Sequence, residues 1–389
     1  MPLPLATGEV MTRQQDAQEL FSDLEGEQPF SSEDIVAREV ISTPYDASVR
    51  TLIDDIRNKE LIVNPDFQRG EVWPRRLKSR LIESLLLNIP IPVLYFAEDD
   101  DGTRVVIDGQ QRLRAISEFF SGGFALGDLQ VLAELNDKSW TDISAKIART
   151  ILNRTLRCVV ISSKSSPTLR FEMFERLNTG SVQLNDQELR NCIFRGSFNV
   201  SLDAIVRHPI WLSAVDRNEP DARLRDHELA LRFLALRDSI ERYRPPLKRL
   251  LNDFMALHRR DTGSALEDQR RLVLDTVSKC STIFRENAFR SVRRQDGRND
   301  PVWDKSLNRA VFDVQMLGLE AVPYEVITEA AGAIREKFVG LCLENSLFVD
   351  AISRATADRA RFYVRLRTWQ DAMRQIGIPV AYSGRLPES

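Results

Sequence analysis

The chain has 389 residues, 43% hydrophobic and 29% charged, with 54 Lys and Arg against 57 Asp and Glu for a formal charge of -3. That is enough apolar material for a sizeable core without disulfide or metal staples. The balance excludes a generally basic nucleic-acid binder and leaves room only for local basic patches.

Residues 1–40 hold nine acids and two bases, a net of -7 that leaves +4 for the rest of the chain. This segment reads as an acidic, flexible arm. The spacing of Val49, Leu52, Ile53 and Ile56 predicts a helix over Ala47–Lys59. Pro74 suits a first helical turn, and Arg75–Asn88 continues with Leu77, Leu81, Ile82, Leu85 and Leu86 on one side, until Pro90 and Pro92 stop it. Strands are expected at Val93–Ala97 and Arg104–Ile107, and a helix at Gln110–Phe120 that ends at Gly122-Gly123. A helix near Thr141–Asn153, a strand at Thr155–Ile161 and helices at Thr168–Leu177 and Asp186–Phe194 follow. From Ser197 on, strand signals nearly vanish and helical segments alternate with short polar loops. The reading is α+β: a head over 41–195, an all-helical body over 196–375 and a tail over 376–389.

Two stretches are rich in arginine: Arg285–Arg298, with Arg290, Arg293, Arg294 and Arg298, and Arg354–Arg374, with Arg365 among them. A planar guanidinium donates two hydrogen bonds to one phosphate. Such runs are commonly solvated helix faces, and the first is the candidate for nucleic-acid contact. No run of about 18 apolar residues offers a membrane span. Met1–Val40 lacks the basic-then-apolar order of a signal peptide. Cys158, Cys192, Cys280 and Cys342 show no Cys-x-x-Cys spacing, which fits free, buried thiols in a reducing cytoplasm.

The densest polar cluster in an apolar setting is Val105-Val106-Ile107-Asp108-Gly109-Gln110-Gln111-Arg112-Leu113, a strand that enters a glycine turn and then a helix. The first N–H groups of a helix lack intrahelical partners and attract anions. Gly109 permits close approach of a ligand, Arg112 adds a charged fork, and Gln110 and Gln111 add neutral donors and acceptors. Asp108 suits a magnesium ion or an attacking water. The plainer alternative is an Asp N-cap with solvated glutamines. Four consecutive polar residues between a buried strand and a buried helix favour phosphate chemistry. A second cluster, Asn64-Pro65-Asp66-Phe67-Gln68-Arg69, precedes a helix, and Arg69 suits a phosphate. A third, Glu175 to Gly180 with Glu188, Arg190 and Asn191 beyond it, is either a plain helix end or a second wall of the site. His208, His227 and His258 stand at no metal-ligand spacing, and neither a P-loop nor a Rossmann loop occurs.

The order Phe67-Gln68-Arg69, Val72-Trp73, Leu81-Ile82-Glu83-Ser84, Asn88-Ile89-Pro90-Ile91-Pro92 and Ile107-Asp108-Gly109-Gln110-Gln111-Arg112-Leu113 resembles the N-terminal domain of GmrSD-type modification-dependent restriction enzymes. Leu177-Asn178-Thr179-Gly180 and Glu188-Leu189-Arg190-Asn191 also look like that family. The head is similar to the ParB/sulfiredoxin superfamily as well, with Asn64 to Arg69 and Gly109 to Arg112 in the places of its two phosphate boxes. Arg114 stands where the family often has Thr, and Ser181 where it often has a second Gly.

The resemblance implies nucleoside-triphosphate binding, and in several relatives hydrolysis, coupled to DNA restriction in phage defence. Asp108, Gln110 and Gln111 would do the chemistry. Arg69, Gly109, Arg112, Asn178 and Arg190 would bind the nucleotide, with Asp108 holding magnesium. No HNH-type half is legible in the helical body, so a cutting group is expected on a partner nuclease. The alternatives are a non-hydrolysing nucleotide sensor in a defence complex, and a stand-alone ParB-like nuclease.

Overall fold

The computed structural model describes residues 40–63, 73–177, 184–294, 300–354 and 356–387. Arg69, Asn178 and Arg298 lie outside them. Ile41–Ser389 forms one compact unit, so head and body pack together.

The head is a mixed five-stranded sheet with helices. In chain order it runs β1 (Ser42–Ser48), α1 (Val49–Arg57), β2 (Leu61–Ile62), α2 (Arg75–Leu87), β3 (Leu94–Glu98), β4 (Arg104–Asp108), α3 (Gln110–Phe120), α4 (Ala145–Leu152) and β5 (Thr155–Ile161). The sheet order is β1-β5-β3-β4-β2. β1 runs antiparallel to β5, β5 parallel to β3, β3 antiparallel to β4, and β4 parallel to β2, with Leu61 opposite Arg104. Ser48 caps α1 by accepting from Thr51 N at 3.0 Å. Asn88, left-handed with φ 58°, closes α2.

The apolar stripes bury as their spacing requires. Val49, Leu52 and Ile53 from α1, Leu81, Ile82 and Leu85 from α2, and Leu113, Ile116 and Phe119 from α3 share one core with Leu94, Phe96 and Val106 of the sheet. Leu77 departs from expectation at 42% exposed. The inward face of α2 runs Lys78, Leu81, Ile82, Leu85, a helical stripe that leaves Leu77 outside. The Lys78 stem takes the buried place and its ammonium meets Glu118 at 2.7 Å. Pro74 is the N-cap of α2, one place before its first turn.

α5 (Pro167–Leu177) and α6 (Asp186–Ile193) complete the head, and the body follows as α7 (Ser197–Val206), α8 (Pro209–Ala214), α9 (Arg225–Asp238), α10 (Leu247–His258), α11 (Ser264–Phe284), α12 (Arg309–Leu319), α13 (Tyr324–Glu344), α14 (Ser346–Ser353) and α15 (Arg359–Gln375). α12 is its axis, since every residue from Ala310 to Leu319 is buried. Asp313 of α12 holds Arg232 of α9 and Arg365 of α15, each at 2.6 Å, and all three side chains are sealed from solvent. Arg365 is therefore no part of a solvated face, contrary to the sequence pattern. The described part of the other arginine-rich stretch, residues 285–294, is not a helix face either. It opens with a 3-10 turn, Arg285–Asn287, and enters β6 (Val292–Arg293), which pairs with β7 (Val302–Trp303). Head and body meet where Asp100, in the β3–β4 turn, takes Arg259 and Arg260 from the end of α10. All four cysteines are free and buried.

Candidate functional site

β4 buries Val105, Val106 and Ile107 and ends at Asp108. The chain then turns through Gly109 at φ 97°, and α3 begins at Gln110. A side chain at 109 is doubly excluded, by the left-handed backbone and by Leu94, whose Cδ2 would lie 2.2 Å from a Cβ. Arg112 folds back over this turn. Its Nη2 donates to Asp108 Oδ2 at 2.6 Å, and its Nη1 donates to the carbonyls of Pro92 and Val93. One guanidinium thus joins the end of β4, the start of α3 and the entry to β3.

The Asp N-cap alternative is not what forms. Gly109 is the N-cap of α3 and supplies no side-chain bond, while the Asp108 carboxylate is spent on Arg112. Gln110 is buried and donates from Nε2 to Val106 O at 2.9 Å, so it ties the helix to the strand. Gln111 is half-buried and also engaged.

The remaining sequence candidates are placed as follows. β2 runs parallel to β4, so Val63, the last described residue before the Asn64–Arg69 box, leaves the sheet in the direction in which β4 runs to Asp108. α6 packs against β4. It begins with a capping box: Asn185 Oδ1 accepts from the Glu188 N–H at 2.9 Å and Glu188 Oε2 accepts from the Asn185 N–H at 2.7 Å. Arg190, on α6, is fully buried and donates to Asn252 Oδ1 at 2.8 Å, Gln187 Oε1 at 3.1 Å and Glu228 Oε2 at 3.3 Å. None of these partners belongs to residues 108–112, so Arg190 is engaged in the layer between α6, α9 and α10. Glu83 accepts from the N–H groups of Val131 and Leu132, away from Asp108. Among the described residues no group of three or more His, Cys, Asp or Glu side chains is placed to hold a metal ion.

In the arginine-rich stretch Arg290 is largely buried, donating to Glu286 O and pairing with Asp216 at 3.4 Å. Arg293 is exposed and pairs with Asp304 at 2.9 Å, and Arg294 is exposed. Sequence reading named Asn191 and His227 singly but did not group them with the other polar residues gathered where the β3–β4 turn meets α6, α7 and α9. They come together only through tertiary packing, and no local motif marks them.

Residues 49–195 match the family model of the GmrSD restriction endonuclease, N-terminal domain. The head is a GmrSD-type N-terminal domain. The match starts at the first residue of α1 and ends just past α6, so it contains the whole β4–Gly109–α3 junction. It ties this GmrSD-type head to DNA restriction and defence. No curated protein matches the chain. Among the described residues no helix is long and apolar enough to cross a membrane.

Proposed function

We propose that the GmrSD-type head binds a nucleoside triphosphate at the β4–α3 junction, hydrolyses it, and couples its nucleotide state to DNA or to a partner nuclease. The observation that carries this reading is the Arg112 guanidinium folded over left-handed Gly109 at the start of a helix, its Nη2 within 3.4 Å of where a Cβ would stand. A helix start, a glycine without side chain and a charged fork together form a place for phosphate oxygens. Phosphate takes over the Arg112 donors now given to Asp108. That exchange leaves Asp108 to orient water. Gln110, anchored to Val106, keeps the helix start in place, and Gln111 stands beside it on the first turn. Arg69 and Asn178 would complete the pocket.

Asp108 is the one acid between Arg104 and Leu113. That fits magnesium, which is commonly held by one or two carboxylates plus substrate phosphates. When bound, the ion would neutralise charge on the phosphates. Arg112 keeps the phosphate end fixed, and the buried β4 keeps water out from behind.

A phosphate-release assay on the full chain with the four common triphosphates, with and without DNA, tests the reading. Release that disappears in Asp108→Ala supports it. Calorimetric binding without release supports the sensor alternative, for which the Asp108–Arg112 pairing speaks, because it occupies the acid that hydrolysis needs. Absence of binding to all four triphosphates overturns both.

A further inference from the structure

A cavity of about 620 Å³ opens at the other end of β4 from Asp108, where the β3–β4 turn meets the body. Its size is that of a small-molecule site. Lys59, Asp99, Asp101 and Arg195 line it from the head, and Asn199 and His227 from the body.

The acids of this cavity already have partners. Asp99 Oδ1 accepts from the Asp100 N–H and Asp101 Oδ1 from the Thr103 N–H, each at 2.9 Å. Asp203, also in the wall, accepts from Arg207 Nε at 2.7 Å and meets His227 Nε2 at 3.4 Å. The cations are less satisfied. Among the described residues neither Lys59 nor Arg195 makes an ion pair, although both line the cavity. The buried wall has the converse deficit. The His227 hydrogen bond holds the Asp203 carboxyl down at about 2, so Asp203 is an acceptor and His227 Nε2 is the donor. His227 Nδ1 is buried without a partner, and in the neutral ring that carries its proton on Nε2 it is an acceptor. Asn199 gives its Nδ2 to Asn191 Oδ1 at 2.7 Å, which leaves Asn199 Oδ1 a second buried acceptor without a partner.

Two cations without a close ion pair, of which Arg195 acts on Asp101 only at longer range, together with two unsatisfied acceptors call for a ligand with a negative group at one end and hydrogen-bond donors at the other. We propose that this cavity is a second binding site, taking a nucleoside phosphate whose base carries an exocyclic amino group. The phosphate meets Lys59 and Arg195, and the amino group reaches toward Asn199 and His227. A free mononucleotide and a nucleotide turned out of a DNA strand share this chemistry. The proposal is independent of triphosphate binding at Asp108–Arg112.

The test is calorimetry of the full chain with AMP, CMP, thymidine monophosphate and inorganic phosphate, followed by a short single-stranded oligonucleotide. AMP and CMP should bind more tightly than thymidine monophosphate, and inorganic phosphate most weakly. Lys59→Ala and Arg195→Ala should each weaken binding about tenfold, the scale of one lost charge-assisted hydrogen bond. Neither residue makes an ion pair among the described residues, so neither change removes one that supports the fold. Oligonucleotide binding with the same dependence on Lys59 and Arg195 identifies DNA as the source, and binding of mononucleotides alone identifies the free ligand. Absence of mononucleotide and oligonucleotide binding overturns the proposal. So does mononucleotide binding that is lost in Asp108→Ala but retained in Lys59→Ala and Arg195→Ala, because the ligand would then sit at the β4–α3 junction.

Discussion

Asp108 and Arg112 meet across the first turn of α3, Oδ2 to Nη2 at 2.6 Å, with left-handed Gly109 between them. Because Arg112 also donates to the Pro92 and Val93 carbonyls, the pair is a mechanical joint as well as a candidate phosphate grip. Sequence alone suggests an arginine needed only when ligand is bound, so that Arg112→Ala would leave the fold intact. The structure revises that. Arg112→Ala should lower stability by about 1.5–3 kcal/mol, the scale of hydrogen bonds to a charged group, in addition to abolishing triphosphate binding. Urea unfolding reads the first and calorimetry the second. An unchanged unfolding midpoint would show that the joint carries no load.

Gly109→Ala places a methyl on a backbone at φ 97° and drives it into Leu94 Cδ2. The expected loss is about 1–3 kcal/mol from the backbone conformation alone. Pairing it with Leu94→Ala should relieve the clash and not the backbone strain, so the double variant should stay less stable than Leu94→Ala. Equal midpoints for those two would assign the glycine to packing only.

Much of this fold was legible in the sequence because its elements carry their own signals. The α3 helix, Gln110–Phe120, and the strand Thr155–Ile161 fall where periodicity places them. β1 was not legible, because Ser42–Ser48 reads STPYDAS and turns only Ala47 fully inward, so no apolar alternation marks it. β2 is two residues long, below what any pattern can show. The polar string Asp108–Arg112 was visible as a cluster between a buried strand and a buried helix, whereas its internal pairing was not, since that depends on where the Pro92 carbonyl lies. Arg190 and Arg365 looked like surface or ligand arginines. Their burial depends on Glu228 and Asn252 in one case and Asp313 in the other, all distant in sequence.

Asp313 carries the charge of two enclosed arginines, Arg232 and Arg365. Asp313→Asn leaves both cations without a counter-charge in the body's core. Breaking a buried pair in this way costs about 3–5 kcal/mol. Chemical denaturation of the variant should show that loss, and a change below about 1 kcal/mol would mean that water reaches the cluster.

Asp203 sets an acid limit. Hydrogen bonding from His227, then the bond and charge of Arg207, hold its carboxyl at about 2 in the folded chain. A carboxyl depressed in this way stabilises the fold above its ordinary value, and the contribution disappears as the pH falls from there toward about 2. Between pH 5 and pH 3 the melting temperature of the wild type should therefore fall more than that of Asp203→Asn. Parallel curves would remove Asp203 from the acid response.

The arginine-rich stretch now divides into two parts with different outcomes. Arg293 and Arg294 are exposed, and the only ion pair between them among the described residues is that of Arg293 with Asp304. Arg290 is turned inward to Glu286 O and Asp216. If this hairpin touches DNA, neutralising Arg293 and Arg294 should weaken binding uniformly across sequences. Each lost phosphate contact should also flatten the salt dependence by ~0.9 in slope, because one fewer counterion is released. Arg290→Ala should change stability more than salt slope, since its donors are spent inside the chain. Fluorescence anisotropy with one labelled duplex across a salt series separates the three. A double variant of Arg293 and Arg294 with wild-type affinity and slope would leave the hairpin a solvated turn. DNA contact would then have to come from another face of the chain or from a partner nuclease.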